Sequence, residues 1–287
     1  MTEVTRIPKL PTKRPHELDA EDRVPRWLVE ALWARSAVGV IGGTPKSLKT
    51  WLGLELAVAV STGTPCLDRY PGRESGPALV YLAEDALGSV RERLAALAAA
   101  RRRPLDALDL HIITVPALRL DQEDDLRRLA ATVRDIRPRL LLLDPLVRLH
   151  TCDENDASAV SAILGRLRVL QRHYDTAVAL VHHTRKQTGP RQHGQALRGS
   201  GDLHAWGDSN LYLTHETEGV VLTVEHRAQK AQEPVGIELV GDPPRLVVRD
   251  VALQATSPLE EHVVERSRLE RSVTRRHAAR TTDRASQ

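Results

Sequence analysis

Apolar residues recur along this chain in two rhythms, and their alternation predicts its architecture. Ala37–Ile41, Ala78–Leu82, Leu110–Val115, Leu140–Leu143 and Ala177–Val181 are short, largely apolar runs of strand length. Between them, Trp51–Val60, Ala86–Arg102, Asp121–Ile136 and Asn155–Tyr174 carry apolar residues at helical spacing. Buried strands alternating with helices imply a mainly parallel sheet with helices on both faces. Gly63-Thr64-Pro65 stops the first helix, and Pro71-Gly72 and Gly76-Pro77 mark an exposed turn region. Arg101-Arg102-Arg103 before Pro104 suits a helix C-terminus.

Beyond Gly189 the texture changes. Gly189–Gln195 is polar and predicts a mobile loop. Asn210–Leu213, Val220–Glu225, Gly236–Val240 and Arg245–Arg249 are then β-type runs with no helix between them, which predicts an antiparallel extension of the sheet. From Ala252 the apolar pattern fades, and Arg266–Gln287 holds seven Arg against two acids, the composition of a solvated tail. The expected organisation is a flexible arm over 1–26, one α/β domain over 27–251 and an Arg-rich tail over 252–287, partly helical or disordered. No internal repeat is visible.

The chemistry concentrates between the first strand and the first helix. Gly43-Thr44-Pro45-Lys46-Ser47-Leu48-Lys49-Thr50, followed by Trp51, places a lysine and a hydroxyl at phosphate-binding spacing. Backbone N–H groups of such a turn and the helix N-terminus form an anion cradle. In the P-loop pattern the lysine reaches the β- and γ-phosphates and the next Ser or Thr holds magnesium, roles that fall to Lys49 and Thr50. The pattern asks for glycine just before the lysine, and this chain has Leu48. A Cβ there restricts the backbone and crowds the approach to phosphate.

Nucleotides bind at the C-terminal ends of parallel strands, so the residues just past each run bear on the reading. They are Ala83-Glu84-Asp85, Asp144-Pro145 and His182-His183-Thr184. Asp144, after Arg139-Leu140-Leu141-Leu142-Leu143, has the form of a Walker B aspartate that holds magnesium directly or through water. Glu84 is a carboxylate able to orient and deprotonate an attacking water, or else, with Asp85, it caps the helix from Ala86. His182 and His183 stand where a γ-phosphate is sensed, or are ordinary polar surface. No Cys or third His lies at metal-ligand spacing beside them, which argues against zinc.

The bulk numbers narrow the setting. A chain of 287 residues buries a full core. A net charge of +3, from 41 basic and 38 acidic residues, is compatible with nucleic acid without requiring it. With no Phe and 3% aromatic residues, a grip on nucleic acid has to lean on Lys and Arg instead of stacking. No apolar run spans a bilayer, the N-terminus lacks a signal-peptide core, and two isolated cysteines make no disulfide framework; these point to a cytoplasmic protein without membrane contact.

The succession GVIGGTPKSLKTWLGLELA, LVYLAEDA, LLLLDPL, VHHT and LRGSGDL resembles the RecA-like ATPases of the RepA type, compact hexameric replicative helicases, over about Trp27 to Arg249. The resemblance implies a RecA-like P-loop NTPase fold using ATP and Mg2+, with Glu84 as catalytic base and His182-His183 coupling hydrolysis to DNA. It implies that Arg198, in Arg198-Gly199-Ser200, reaches into a neighbouring subunit's site, assisted by Lys230 or Arg227. A homo-oligomeric ring, a hexamer in that family, follows from such a shared site. Single-stranded DNA is the expected partner, with Lys186 and Gln187–Gln195 lining a channel. The alternative is a nucleotide-dependent regulatory or binding module with slow or no hydrolysis, which Leu48 favours and the set of Lys49, Glu84 and Asp144 opposes.

Overall fold

The computed structural model describes residues 10–17, 27–153, 156–183, 201–217, 219–230 and 232–249. The chain forms β1 (Trp27–Val29), β2 (Trp33–Ala34), β3 (Val38–Gly43), α1 (Lys49–Thr62), β4 (Ala78–Leu82), α2 (Leu87–Ala100), β5 (Leu110–Ile112) and α3 (Glu123–Ile136). It continues with β6 (Leu140–Asp144), α4 (Ala157–Tyr174), β7 (Ala177–His183), α5 (Gly201–Trp206), β8 (Ser209–Glu216), β9 (Gly219–His226), β10 (Val235–Val240) and β11 (Arg245–Arg249).

Nine strands make one sheet in the order β11-β10-β9-β8-β3-β7-β6-β4-β5. From β8 to β5 neighbouring strands are parallel, and β8 through β11 continue as antiparallel pairs. The sheet therefore has the mixed character read from the sequence, in a RecA-like P-loop arrangement. β7 is inserted between β3 and β6, so the strand leading to the phosphate loop and the strand ending in Asp144 are not neighbours.

Strand alternation explains the unbroken leucine run of β6. Leu140 and Leu142 face the core shared with α1 and α2, while Leu141 and Leu143 face the core shared with α3 and α4. β7 divides in the same way, presenting Ala177, Ala179 and Val181 to the α1 side and Val178 and Leu180 to the other. Small residues let α1 approach closely. A Cβ on Gly53 would already stand 3.0 Å from Leu142 Cδ2.

α1 is not a one-sided helix. Leu52, Leu54, Leu56, Ala57, Val58, Ala59 and Val60 are all fully buried, because β1 and α2 cover the faces that the sheet, its edge strand β11 included, does not. Each buried Leu stabilises the fold by about 1.5–3 kcal/mol relative to exposure, so the helix that opens the candidate site is fixed in the middle of the core.

The structure adds elements that the periodicity does not reveal. The β1–β2 hairpin is too short for a pattern, and α5 spans six residues. β5 ends at Ile112, not Val115, since Ile113 gives the last rung to the Val80 carbonyl and the chain then turns away. Arg101, read from the sequence as part of a basic helix end, turns inward to a buried ion pair with Glu55. No helix among the described residues is long and apolar enough to cross a membrane.

Candidate functional site

The C-terminal ends of β3, β7, β6 and β4 lie side by side, and the expected chemical groups gather there. Gly43 ends β3 where a Cβ would fall 2.6 Å from both the Leu213 carbonyl oxygen and Ser47 Oγ, so only glycine fits. The loop then passes through two left-handed residues that are not glycine, Lys46 at φ 65° and Leu48 at φ 67°. Leu48 is the N-cap of α1 and supplies no side-chain acceptor to the first turn. The N–H groups of that turn are thus available to an anion.

Lys49 folds back over this loop. Its Nζ donates to the Thr44 carbonyl at 2.6 Å and approaches Ser47 Oγ at 3.5 Å, while Ser47 Oγ donates to the same carbonyl at 2.7 Å. Burial pulls the ammonium down to about 8, against the attraction of Asp144. Pro45 and Lys46 are exposed at the loop apex, and Thr44, Thr50 and Trp51 are half-buried.

Thr50 Oγ1 donates to Asp144 Oδ2 at 2.7 Å, joining the first turn of α1 to the end of β6. Asp144 is 5% exposed. Burial first pushes its carboxyl up to about 6, with Asp85 and Glu84 adding and the Thr50 hydrogen bond and Lys49 opposing. A hydroxyl and a carboxylate brought together in a buried place form a hard-oxygen donor set of the kind that suits magnesium.

Glu84 and Asp85 follow β4, and Leu82 stands opposite Asp144 in the register. Neither caps the helix start, whose N-cap is Ala86 without a side-chain cap. Glu84 accepts from Arg148 Nε at 2.7 Å, and Asp85 accepts from Arg93 Nη1 at 3.1 Å. Arg148 closes a 3-10 turn over Leu146–Arg148, four residues past Asp144. Sequence reasoning finds neither arginine. Their only signal is position, one just beyond a strand end and the other eight residues along from Asp85.

His182 and His183 end β7, paired in register with Gly42 and Gly43. They stand between the phosphate loop and the Asp144 strand because β7 is inserted there. His182 is buried, and burial first, then the charges of His183, Lys49 and His150, pull it down to about 4, so its imidazole is neutral at pH 7. His183 is exposed.

Other expected residues stand elsewhere. Arg227 and Lys230 occupy the exposed turn after β9, at the opposite rim of the sheet from the phosphate loop. There Ser209 pairs with His226, and the Asp208 N–H donates to the Val38 carbonyl at the start of β3. Arg227 is engaged locally, 3.3 Å from the Asp208 carboxylate and donating to the Ala205 carbonyl. Neither residue serves the site of its own chain. Arg198, Lys186, Gln187–Gln195 and the Arg-rich C-terminal segment lie outside the described residues.

A solved structure of another protein's ATPase domain is similar in fold, with a TM-score of 0.58 at 17% identity, covering 76% of this chain and 86% of that one. The sequence profile described as the AAA domain matches residues 4–189. With a phosphate loop, a hydroxyl–carboxylate pair and a RecA-like sheet in one place, the chain belongs to the AAA domain family.

Proposed function

We propose that this protein binds ATP with Mg2+ and hydrolyses it, as one subunit of a ring that works on DNA. The observation that carries the reading is the 2.7 Å contact between Thr50 and Asp144 beside the Lys49 ammonium. Lys49 and the amides of Gly43–Thr50 would bind the triphosphate, exchanging the Thr44 carbonyl for phosphate oxygen. Thr50 and Asp144 would hold magnesium, which when bound neutralises charge on the phosphate oxygens. Glu84 takes a proton from the attacking water once its carboxylate is free of Arg148. Neutral His182 offers a hydrogen bond beside the phosphate loop without adding charge.

The finer parts of the reading rest on likeness to RecA-type rings: Arg198 completing a neighbour's site with Lys230 or Arg227 beside it, Lys186 and Gln187–Gln195 on single-stranded DNA, and a cytoplasmic place of work. Of the two basic candidates, Lys230 is favoured, since Arg227 is occupied by Asp208 and Ala205. A slow nucleotide-dependent regulator is the second reading, supported by the contact that holds Glu84 on Arg148.

Phosphate release should be measured for wild type, Glu84→Gln, Lys49→Ala and Arg198→Ala, with and without single-stranded DNA. Turnover in wild type that DNA raises, and that Glu84→Gln lacks, supports the motor. Turnover unchanged by DNA removes the DNA role, and a wild type as idle as Glu84→Gln favours the regulator. Activity regained on mixing Arg198→Ala with Lys49→Ala protein would support a shared site.

A further inference from the structure

Two outer carboxylates flank Asp144 at the rim of β4 and β6. The Ala83 N–H donates to the Asp144 carbonyl at 2.8 Å, so Glu84 and Asp85 leave the sheet beside it. Each is met by one arginine, and the two pairs are built differently. Arg148 and Glu84 are 58% and 43% exposed, a contact that water and salt loosen easily. Arg93 and Asp85 are 28% and 24% exposed, and the Arg93 guanidinium also lies over the Trp51 ring, 5.8 Å from its centroid. A planar guanidinium donates from its edge while its face stacks, and lysine lacks that combination.

The residues at the two ends of this bridge are neighbours of the proposed machinery. Trp51 follows Thr50 in the first turn of α1, and Asp85 follows Glu84. Arg93, in the second turn of α2, therefore links the turn that carries the base to the helix turn that carries the magnesium-binding hydroxyl.

We propose that Arg93 is a positioning residue that, through Asp85 and Trp51, fixes the Glu84 turn against the first turn of the phosphate-loop helix. A nucleotide seated at Lys49 and Thr50 then meets Glu84 in a set geometry, although Arg93 itself serves neither as base nor as phosphate ligand. Asp85 is committed to this bridge and leaves the base role to Glu84. The inference rests on the ATPase reading and adds to it the part that sets the distance between base and nucleotide.

The test combines steady-state ATP hydrolysis with binding of a fluorescent non-hydrolysable ATP analogue. The proteins are wild type, Lys49→Ala, Arg93→Ala, Arg93→Lys, Asp85→Asn and the Arg93→Ala/Asp85→Asn double variant. Arg93→Ala and Asp85→Asn should each lower kcat about tenfold, with analogue Kd within about twofold of wild type, because misplacement of a reacting group slows chemistry more than it weakens binding. The double variant should be no slower than the slower single, since both act through one contact. Arg93→Lys should recover part of the rate by keeping the charge while losing the stack.

If thermal melts show Arg93→Ala unfolded, Arg93→Lys and Asp85→Asn carry the test, with kcat down about threefold or more at unchanged Kd. Folded variants with wild-type kcat overturn the proposal, as does a parallel loss of kcat and analogue affinity, the mark of a site loosened in general. A wild type no faster than Lys49→Ala sinks the ATPase reading itself, and the role of Arg93 with it.

Discussion

Arg148 Nε donates to a Glu84 carboxylate oxygen at 2.7 Å, binding the proposed base to the turn that follows the Asp144 strand. A carboxylate held this way has one oxygen occupied, and turning it toward an attacking water first requires that contact to break. The pair is exposed and contributes about 0.2–1 kcal/mol. Arg148→Ala is therefore expected to raise basal hydrolysis by up to about fivefold, the rate equivalent of that contact. Phosphate release without DNA measures it, and Glu84→Gln in the same background should abolish the gain. A fall in rate would mean instead that Arg148 acts in the chemistry.

The pH profile follows from two buried groups. Asp144 titrates at about 6 and Lys49 at about 8, so the charged pair that suits metal and phosphate exists between those values. kcat/KM for ATP should be bell-shaped and greatest between them, falling on the acid side as Asp144 protonates and on the alkaline side as Lys49 loses its proton. Thr50→Ala removes a hydrogen bond that keeps Asp144 charged, so the acid limb should move to higher pH. Stability carries the opposite signature. Folded Asp144 binds more protons than the unfolded chain between its ordinary 3.8 and about 6, so its contribution falls as pH rises through that window. Folded Lys49 binds fewer between about 8 and its ordinary 10.5, so stability rises with pH there. Denaturant melts across pH separate these trends from the activity profile.

Arg101 and Glu55 form an ion pair with side chains 7% and 2% exposed, where α2 ends against the middle of α1. Removing one partner leaves a buried charge alone, so Arg101→Met should cost about 3–5 kcal/mol. The double variant Arg101→Met/Glu55→Gln should recover most of that, because glutamine keeps an acceptor for the Leu67 N–H, now bonded to Glu55 at 2.8 Å. Chemical denaturation of the two variants decides it; a double variant as weak as the single would show that the pair is not the source.

Leu48 sits at φ 67°, where a side chain costs about 1 kcal/mol or more relative to glycine. Its side chain also packs against the core around α1, and losing that packing costs a similar amount. Leu48→Gly should thus change folding stability by less than about 1 kcal/mol, whereas Leu48→Val, β-branched at positive φ, should lose about 1–2 kcal/mol. Equilibrium unfolding checks both. A large loss in Leu48→Gly would mean that packing outweighs strain at this position.

Much of the site was legible because its chemistry is local. Lys49 and Thr50 share one turn at the start of the helix after β3, and Asp144 and Glu84 each follow an apolar run, at the strand ends where parallel sheets commonly bind ligands. The arginines were not legible. Arg148 and Arg93 act on Glu84 and Asp85 across 64 and 8 positions of sequence, and nothing in their own surroundings announces a carboxylate. Arg101 reads as part of a basic helix end until α1 is seen to present Glu55 to it. Arg227, grouped with Lys230 on resemblance, is engaged by Asp208 on the far rim, a contact between segments that only the β8–β9 register brings together.

The succession of the longer strands and helices, the loop after β3 and the carboxylates at the strand ends were determined by the sequence alone, because period, spacing and side-chain type are properties of neighbouring residues. Tertiary structure decided that β7 lies between β3 and β6, that α1 is buried on every side, and which arginine holds which carboxylate. Those depend on strand order and packing, where the choice among partners is made by burial and shape over the whole sheet and leaves no mark in any one segment.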